Sequence, residues 1–268
     1  MAQLPFQGNA LPMSSVGLAG VANRLGVFAA EIWTVLAVET SGCGYLPDRR
    51  PQILFERHIF HRLTNRQFDD GDISDPTPGG YGPPGAHQYD RLARAIAKNR
   101  NAALQSASWG VAQIMGENFA RAGFQGVEDM VDAMSESEDR QLTATGAFLV
   151  ATGLTSPLQT HNWSAFARIY NGPNFAINRY DGLLNGEFQK FSSGVLPDLE
   201  ARAAQLYLTY LGFHPGCIDG IAGSRTMAAL AQFQTQAGIP VTSTIDSTCV
   251  EQLQTALVAG ADVLVTKV

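Results

Sequence analysis

Two glutamates in this chain have the type and setting for chemistry. Glu39 lies three residues after Leu36, four after Val35 and seven after Ile32. If residues 27–40 form a helix, that spacing places its carboxylate on the apolar face. Gly42 and Gly44 should stop the helix just beyond, leaving Glu39 in the last turn, at the negative end of the macrodipole. Burial and the dipole both disfavour the charged form, and a carboxyl kept protonated near neutral pH is what a general acid needs. Glu56 interrupts the apolar run Ile53-Leu54-Phe55-Glu56-Arg57-His58, where an acid is unusual unless paired. Two half-buried glutamates flanking a turn suit acid and base work on a glycosidic bond. The competing reading gives each a cation: an Arg or Lys for Glu39, and Arg49, Arg50 or Arg57 for Glu56. Asp69, Asp70, Asp72 and Asp75 are rival second carboxylates, more simply read as solvated loop charges.

The elements that position these groups follow from hydrophobic spacing. Residues 1–13 read as a loose leader, and 14–25 and 27–40 as helices. Residues 46–51 form a turn, and 52–58 are either a short strand or the start of a helix running to Leu63. The Gly-, Pro- and Asp-rich stretch 69–90 is a long loop, of the kind that is usually functional. Helices are expected at 88–98, at 110–122 with Val111, Ile114, Met115 and Phe119 on one face, at 138–153, and at 160–170. Gly186, Ser192, Ser193, Gly194 and Pro197 mark 186–198 as a linker. Beyond it lie three short helical patterns, the second capped by Ser224 and the third by Asp246. The expected architecture is mainly α with little β, divided into residues 1–192 and a three-helix module at 193–268.

Composition narrows the partners. A 45% hydrophobic, 16% charged chain of 268 residues is ordinary for a globular protein, and it can fill one large core plus a small module. The net charge of −6 argues against nucleic acid. Five His and three Cys form no zinc framework; His58 and His61 read as structural, and Cys43, Cys217 and Cys249 as small buried thiols. No cleavable signal or membrane span is evident, because Arg24 and Glu31 interrupt the N-terminal apolar stretches.

Longer motifs carry a resemblance. Glu39-Thr40-Ser41-Gly42 resembles the catalytic Glu-Ser/Thr-Gly turn of goose-type lysozymes and soluble lytic transglycosylases. Ser108-Trp109-Gly110-Val111-Ala112-Gln113-Ile114-Met115 is similar to their cleft-lining G-L-x-Q-I/M-M segment, and Tyr170-Asn171-Gly172 to their A-Y-N-x-G segment. Glu39 through Leu46-Pro47-Asp48 and on to Ile53–Phe60 looks more closely like the N-acetylmuramidase domain of phage endolysins, a likeness covering residues 14–192. Leu211-Gly212-Phe213, Ile218-Asp219-Gly220-Ile221-Ala222-Gly223 and Gly238-Ile239-Pro240-Val241-Thr242 resemble the type 1 peptidoglycan-binding domain. Ser243-Thr244 departs from that pattern where a Gly is usual, as does Cys217. Asp219 and Thr226 are read there as turn and cap residues.

The resemblance implies a lysozyme-like domain with Glu39 and Glu56 as catalytic pair. Ser108, Trp109, Gly110, Gln113, Tyr170 and Asn171 would contact the sugar. Trp109, Tyr170 and Tyr81 would be stacking platforms, and Trp33 and Trp163 core residues. It implies hydrolysis of peptidoglycan by a monomer without cofactor or metal, with no nucleic-acid partner and no membrane insertion. The protein would be made in the host cytoplasm and reach the wall through a holin. A lytic transglycosylase, needing one acid/base glutamate, and a non-catalytic wall-binding or virion protein remain open alternatives.

Overall fold

A computed structural model describes residues 4–40, 43–172 and 179–265, with side chains as far as 260. Ser41 and Gly42, on which part of the expected helix stop rests, lie outside the described residues. In chain order the elements are α1 (Ser15–Leu25), α2 (Ala29–Thr40), β1 (Ile53–Phe55), α3 (Arg57–Leu63), α4 (Ala86–Ile96), α5 (Arg100–Gln105), β2 (Ala107–Trp109) and β3 (Ile114–Met115). They continue with α6 (Val127–Glu136), α7 (Glu138–Ala151), α8 (Thr155–Gln159), α9 (Trp163–Tyr170), α10 (Tyr180–Ser193), α11 (Leu199–Tyr210), α12 (Ser224–Ala237) and α13 (Ser247–Val265). Among the described residues the chain is mainly helical with one small antiparallel sheet in the order β1-β2-β3, as the hydrophobic spacing predicts.

Local chemistry explains the boundaries. Ser14 caps α1 by accepting from the Gly17 N–H at 3.0 Å, and Gly26 ends that helix at φ +63°. The stripe predicted for α2 is real: Ile32, Trp33, Val35 and Leu36 are buried and pack towards α10. No single described helix is long and apolar enough to cross a membrane. The stretch 52–58 satisfies both of its readings, a strand to Phe55 and then a helix from Arg57.

Several expectations need correction. Residues 110–122 are not a helix: β2 turns into β3 with Trp109 opposite Ile114, and a 3-10 turn follows. Gly110 at φ +73° and Gln113 at φ +47° close that hairpin, while Val111 and Ile114 keep the buried positions that mimic a helical stripe. Residues 186–193 are not linker but the second half of α10, held by Leu184 and Phe191 against the core; packing overrides the weak propensity of Gly and Ser. Residues 4–13 are no loose leader, since Phe6 packs 5.7 Å from Trp109 and Ala10 is fully buried. Gly223 rather than Ser224 holds the N-cap position of α12, whereas Asp246 does cap α13 through the Cys249 N–H. Cys217 is exposed, and only Cys43 and Cys249 are buried thiols.

The C-terminal helices have their own core around Leu208, Leu230, Phe233 and Leu253. Asp219 and Thr226 serve the turn before α12: Gln205 accepts from the Asp219 and Gly220 N–H groups and donates to Asp219 Oδ1 and Thr226 Oγ1. A third apolar cluster joins α11 to the rest, with Leu206 against Ala10, Cys43 and Tyr45. Beneath it, Arg202 on α11 and Glu138 on α7 form a fully buried ion pair.

Candidate active site

Glu39 sits where three elements converge. At the end of α2, the Thr40 hydroxyl donates to the Val111 carbonyl at 2.7 Å, and from α9 the Tyr170 hydroxyl donates to the Ala112 carbonyl at 2.6 Å. Both helices are thus clamped to the hairpin turn between β2 and β3. Burial pushes the Glu39 carboxyl up to about 7, opposed by a hydrogen bond from Asn171. Tyr170 and Tyr180 are held above the usual phenol range by burial first and by the nearby Glu39 charge second. Behind this turn the Gly44 N–H donates to Glu138 at 2.9 Å, and the Gly44 carbonyl accepts from Gln52 at 2.8 Å, leading the chain into β1.

Glu56 follows the other end of β1, a strand that at ~3.3 Å per residue spans about 10 Å. It occupies the N-cap position of α3, yet its side chain makes no capping bond. Its carboxylate instead accepts from the Tyr81 hydroxyl at 3.1 Å. The second oxygen lies 3.1 Å from His58 Nδ1, but the two are misaligned, so each is buried without a hydrogen-bond partner. Tyr81 is pushed up to about 12 by burial and then by Glu56. Two of the three neutralising arginines expected from sequence are engaged elsewhere: Arg50 pairs with Asp48, and Arg57 donates to the Gly71 and Thr77 carbonyls. Three of the four rival carboxylates are also occupied, Asp70 and Asp72 by Arg94, Asp72 by Arg91 as well, and Asp75 by Arg57.

Several residues expected to contact sugar are scaffold instead. Trp109 is fully buried, donates from Nε1 to the Leu104 carbonyl at 3.1 Å and packs on Phe6, so it has no face for a pyranose. Ser108 is buried and donates to Gln113 Oε1 at 2.8 Å. Gln113 spends its amide on the Gly110 and Gln52 carbonyls. Gly110 is buried, and a Cβ there would meet Gln141 at 2.7 Å. Tyr170 and Asn171 do lie beside Glu39, but Tyr170 holds the hairpin backbone and Asn171 bonds the carboxyl itself. Trp33 and Trp163 are core residues, as expected.

Sequence reasoning missed Tyr81 as the hydrogen-bond donor to Glu56, His58 as its close neighbour, and Glu138 as the support behind Glu39. An acid interrupting an apolar run was the available signal for a buried partner; nothing in the spacing pointed to a loop tyrosine 25 residues away. Among the described residues no group of three or more His, Cys, Asp or Glu could hold a metal ion.

Comparison with known proteins accords with this geometry. The N-acetylmuramidase family model matches residues 28–192, and a peptidoglycan binding domain model matches residues 198–256. The crystal structure of Burkholderia AP3 phage endolysin is similar at 36% identity with a TM-score of 0.61, over 71% of this chain and 73% of that one. No curated protein matches significantly. With Glu39 and Glu56 both inside the matched region, and a wall-binding type of module after it, the chain belongs to the N-acetylmuramidase family of peptidoglycan hydrolases and has the make-up of a phage endolysin.

Proposed function

We propose that the protein hydrolyses the β-1,4 bond between N-acetylmuramic acid and N-acetylglucosamine to lyse a host cell, with Glu39 as general acid. The observation that carries this reading is a carboxyl pushed to about 7 by burial, with the Asn171 hydrogen bond as its counterweight. At neutral pH such a group has a proton to give the leaving oxygen and can be recharged by solvent. Glu56 serves as the second carboxylate. One oxygen is fixed by Tyr81, and the other is buried without a hydrogen-bond partner, an acceptor that an attacking water would satisfy once substrate binding admits it. The hairpin turn anchors the helix end that carries Glu39 through Thr40 and Tyr170.

On the same reading residues 1–192 carry catalysis and 193–268 hold the wall, and the protein works as a monomer without cofactor. It is made in the host cytoplasm, reaches the wall through a holin, binds no nucleic acid and does not insert into the membrane. Mass spectrometry of the chain ends released from purified peptidoglycan tests the chemistry, with Glu39→Gln and Glu56→Gln in parallel. The expected product is a reducing N-acetylmuramic acid end, lost in both variants. Anhydro-muramic ends that persist in Glu56→Gln would make the enzyme a transglycosylase and reduce Glu56 to scaffold.

A further inference from the structure

Next to Glu56 lies a cavity of about 510 Å³ lined by His58, His61, Arg62, Asn65, Arg66 and Pro76. We propose that this cavity is a subsite for the carboxylates of the peptide stems borne by the glycan. The proposal rests on the reading that Glu56 faces the scissile sugar.

The cavity wall is built by an unusual helix end. Asn65 and Arg66 follow α3 in succession with φ +52° and +63°, a left-handed backbone that a residue with a Cβ resists. Three N–H bonds hold it: Asn65 to the Arg62 carbonyl, Arg66 to His61 and Gln67 to Thr64. Backbone of this kind concentrates at ligand-binding sites, where the surrounding structure sustains it. The opposite wall, at Pro76, is pinned by Arg57 to the Gly71 and Thr77 carbonyls, and by the 3.0 Å contact of His61 with Ser74.

Charge identifies the ligand. The chain carries a net −6, but Glu117 is paired with Arg62 and Asp75 with Arg57, while Glu56, which does not line the cavity, has one oxygen held by Tyr81. Arg66 is exposed, and among the described residues its guanidinium has no partner. A free guanidinium on a cavity rim takes a planar anion in a forked pair of hydrogen bonds, and carboxylate has that geometry. His58 is common to the cavity and to the Glu56 contact, so an anion held here sits one side chain from the proposed catalytic carboxylate. Stems branching from the muramic acid of a strand bound at Glu56 bring carboxylates to that distance.

The test uses soluble glycan strands bearing native stems, and the same strands with the stem carboxyls converted to amides. Full-length wild type should show a kcat/KM about tenfold higher on native strands, the scale of one charge-assisted contact on an exposed rim. Arg66→Asn, which keeps a residue tolerant of the left-handed backbone, should bring that ratio to about one, and Arg66→Lys should restore part of it. Titration of a free tetrapeptide stem into both proteins gives a readout independent of turnover, with weaker binding expected for Arg66→Asn. Equal rates of wild type on the two strands, or an unchanged ratio in Arg66→Asn, overturns the subsite. If wild type cleaves neither strand, the muramidase reading fails instead, and the peptide titration alone decides the subsite. Binding displaced by inorganic phosphate but not by the stem would point to a phosphate-bearing wall polymer and also overturn it.

Discussion

Replacing Arg202 by Met should destabilise the protein where its two modules meet. Arg202 and Glu138 are 1% and 0% exposed, and both guanidinium NH2 groups face the Glu138 carboxylate. Burial alone would discourage the Arg202 charge, but Glu138 outweighs it and holds the group above the usual guanidinium range. Breaking a buried pair by removing one partner costs about 3–5 kcal/mol, because the remaining charge is stranded. Here Glu138 keeps the Met13 and Gly44 N–H groups, both at 2.9 Å, which places the cost at the lower end, about 3 kcal/mol. For a chain of this size that corresponds to a fall in melting temperature of about 6–12 °C. Calorimetry of wild type, Arg202→Met, Glu138→Gln and the double variant measures the coupling. The double variant should recover part of the loss, since no charge remains unpaired. A loss in Arg202→Met under about 0.5 kcal/mol, the scatter of ordinary surface substitutions, would refute the argument.

Glu39→Gln should abolish turnover and raise stability in a pH-dependent way. Below pH 4.5 the Glu39 carboxyl is protonated folded and unfolded alike; above it the unfolded chain ionises first, so wild type loses stability until pH passes about 7. That shift amounts to about 3 kcal/mol, so denaturation of the two proteins should coincide at pH 4 and separate by that much at pH 8. Wild-type turnover should fall as pH rises through about 7, and an alkaline limb elsewhere would remove Glu39 as the acid. Tyr81→Phe removes the donor that fixes Glu56, and turnover should drop about tenfold with the melting temperature nearly unchanged, an interaction on the scale of a hydrogen bond to a charged group. Gly110→Ala should cost about 2 kcal/mol in urea denaturation, since its φ of +73° is strained for Ala and the new Cβ meets Gln141.

Glu39 was legible because a helical stripe with an acid in its last turn has a specific physical consequence, and the folded chain shows that consequence. The three C-terminal helices were legible for a similar reason: Gly-Asp turns and apolar spacing agree there, and only the α12 cap falls one residue early, at Gly223. The hairpin was not, because Val111, Ile114 and Met115 satisfy a helical period while two left-handed residues, one of them Gln113, set the actual path. Trp109 looked like a sugar platform beside a glycine turn. What buries it is Phe6, from a segment whose sequence offers no pattern. The helical second half of α10 depends on Phe191 reaching Trp33 on α2 at 6.5 Å, a contact that local propensity does not register.

The junction between the modules changes how wall binding bears on catalysis. A domain on a flexible tether contributes through effective concentration alone, with its orientation averaged over the linker. Here only residues 194–198 separate α10 from α11, and the Asp198 N–H is bonded to the Gly220 carbonyl at 3.1 Å. Arg202 then pairs with Glu138 and lies 5.8 Å from the ring of Trp33, on the helix that carries Glu39. Glu138 in turn holds Gly44, and the Tyr210 hydroxyl donates to the Ala10 carbonyl. The first helix of the binding module therefore also forms the rear support of the proposed acid. On the proposed reading, a wall surface bound by that module would meet the catalytic site in a fixed orientation, so changes to the α11 face should alter site geometry and wall placement together rather than affinity alone.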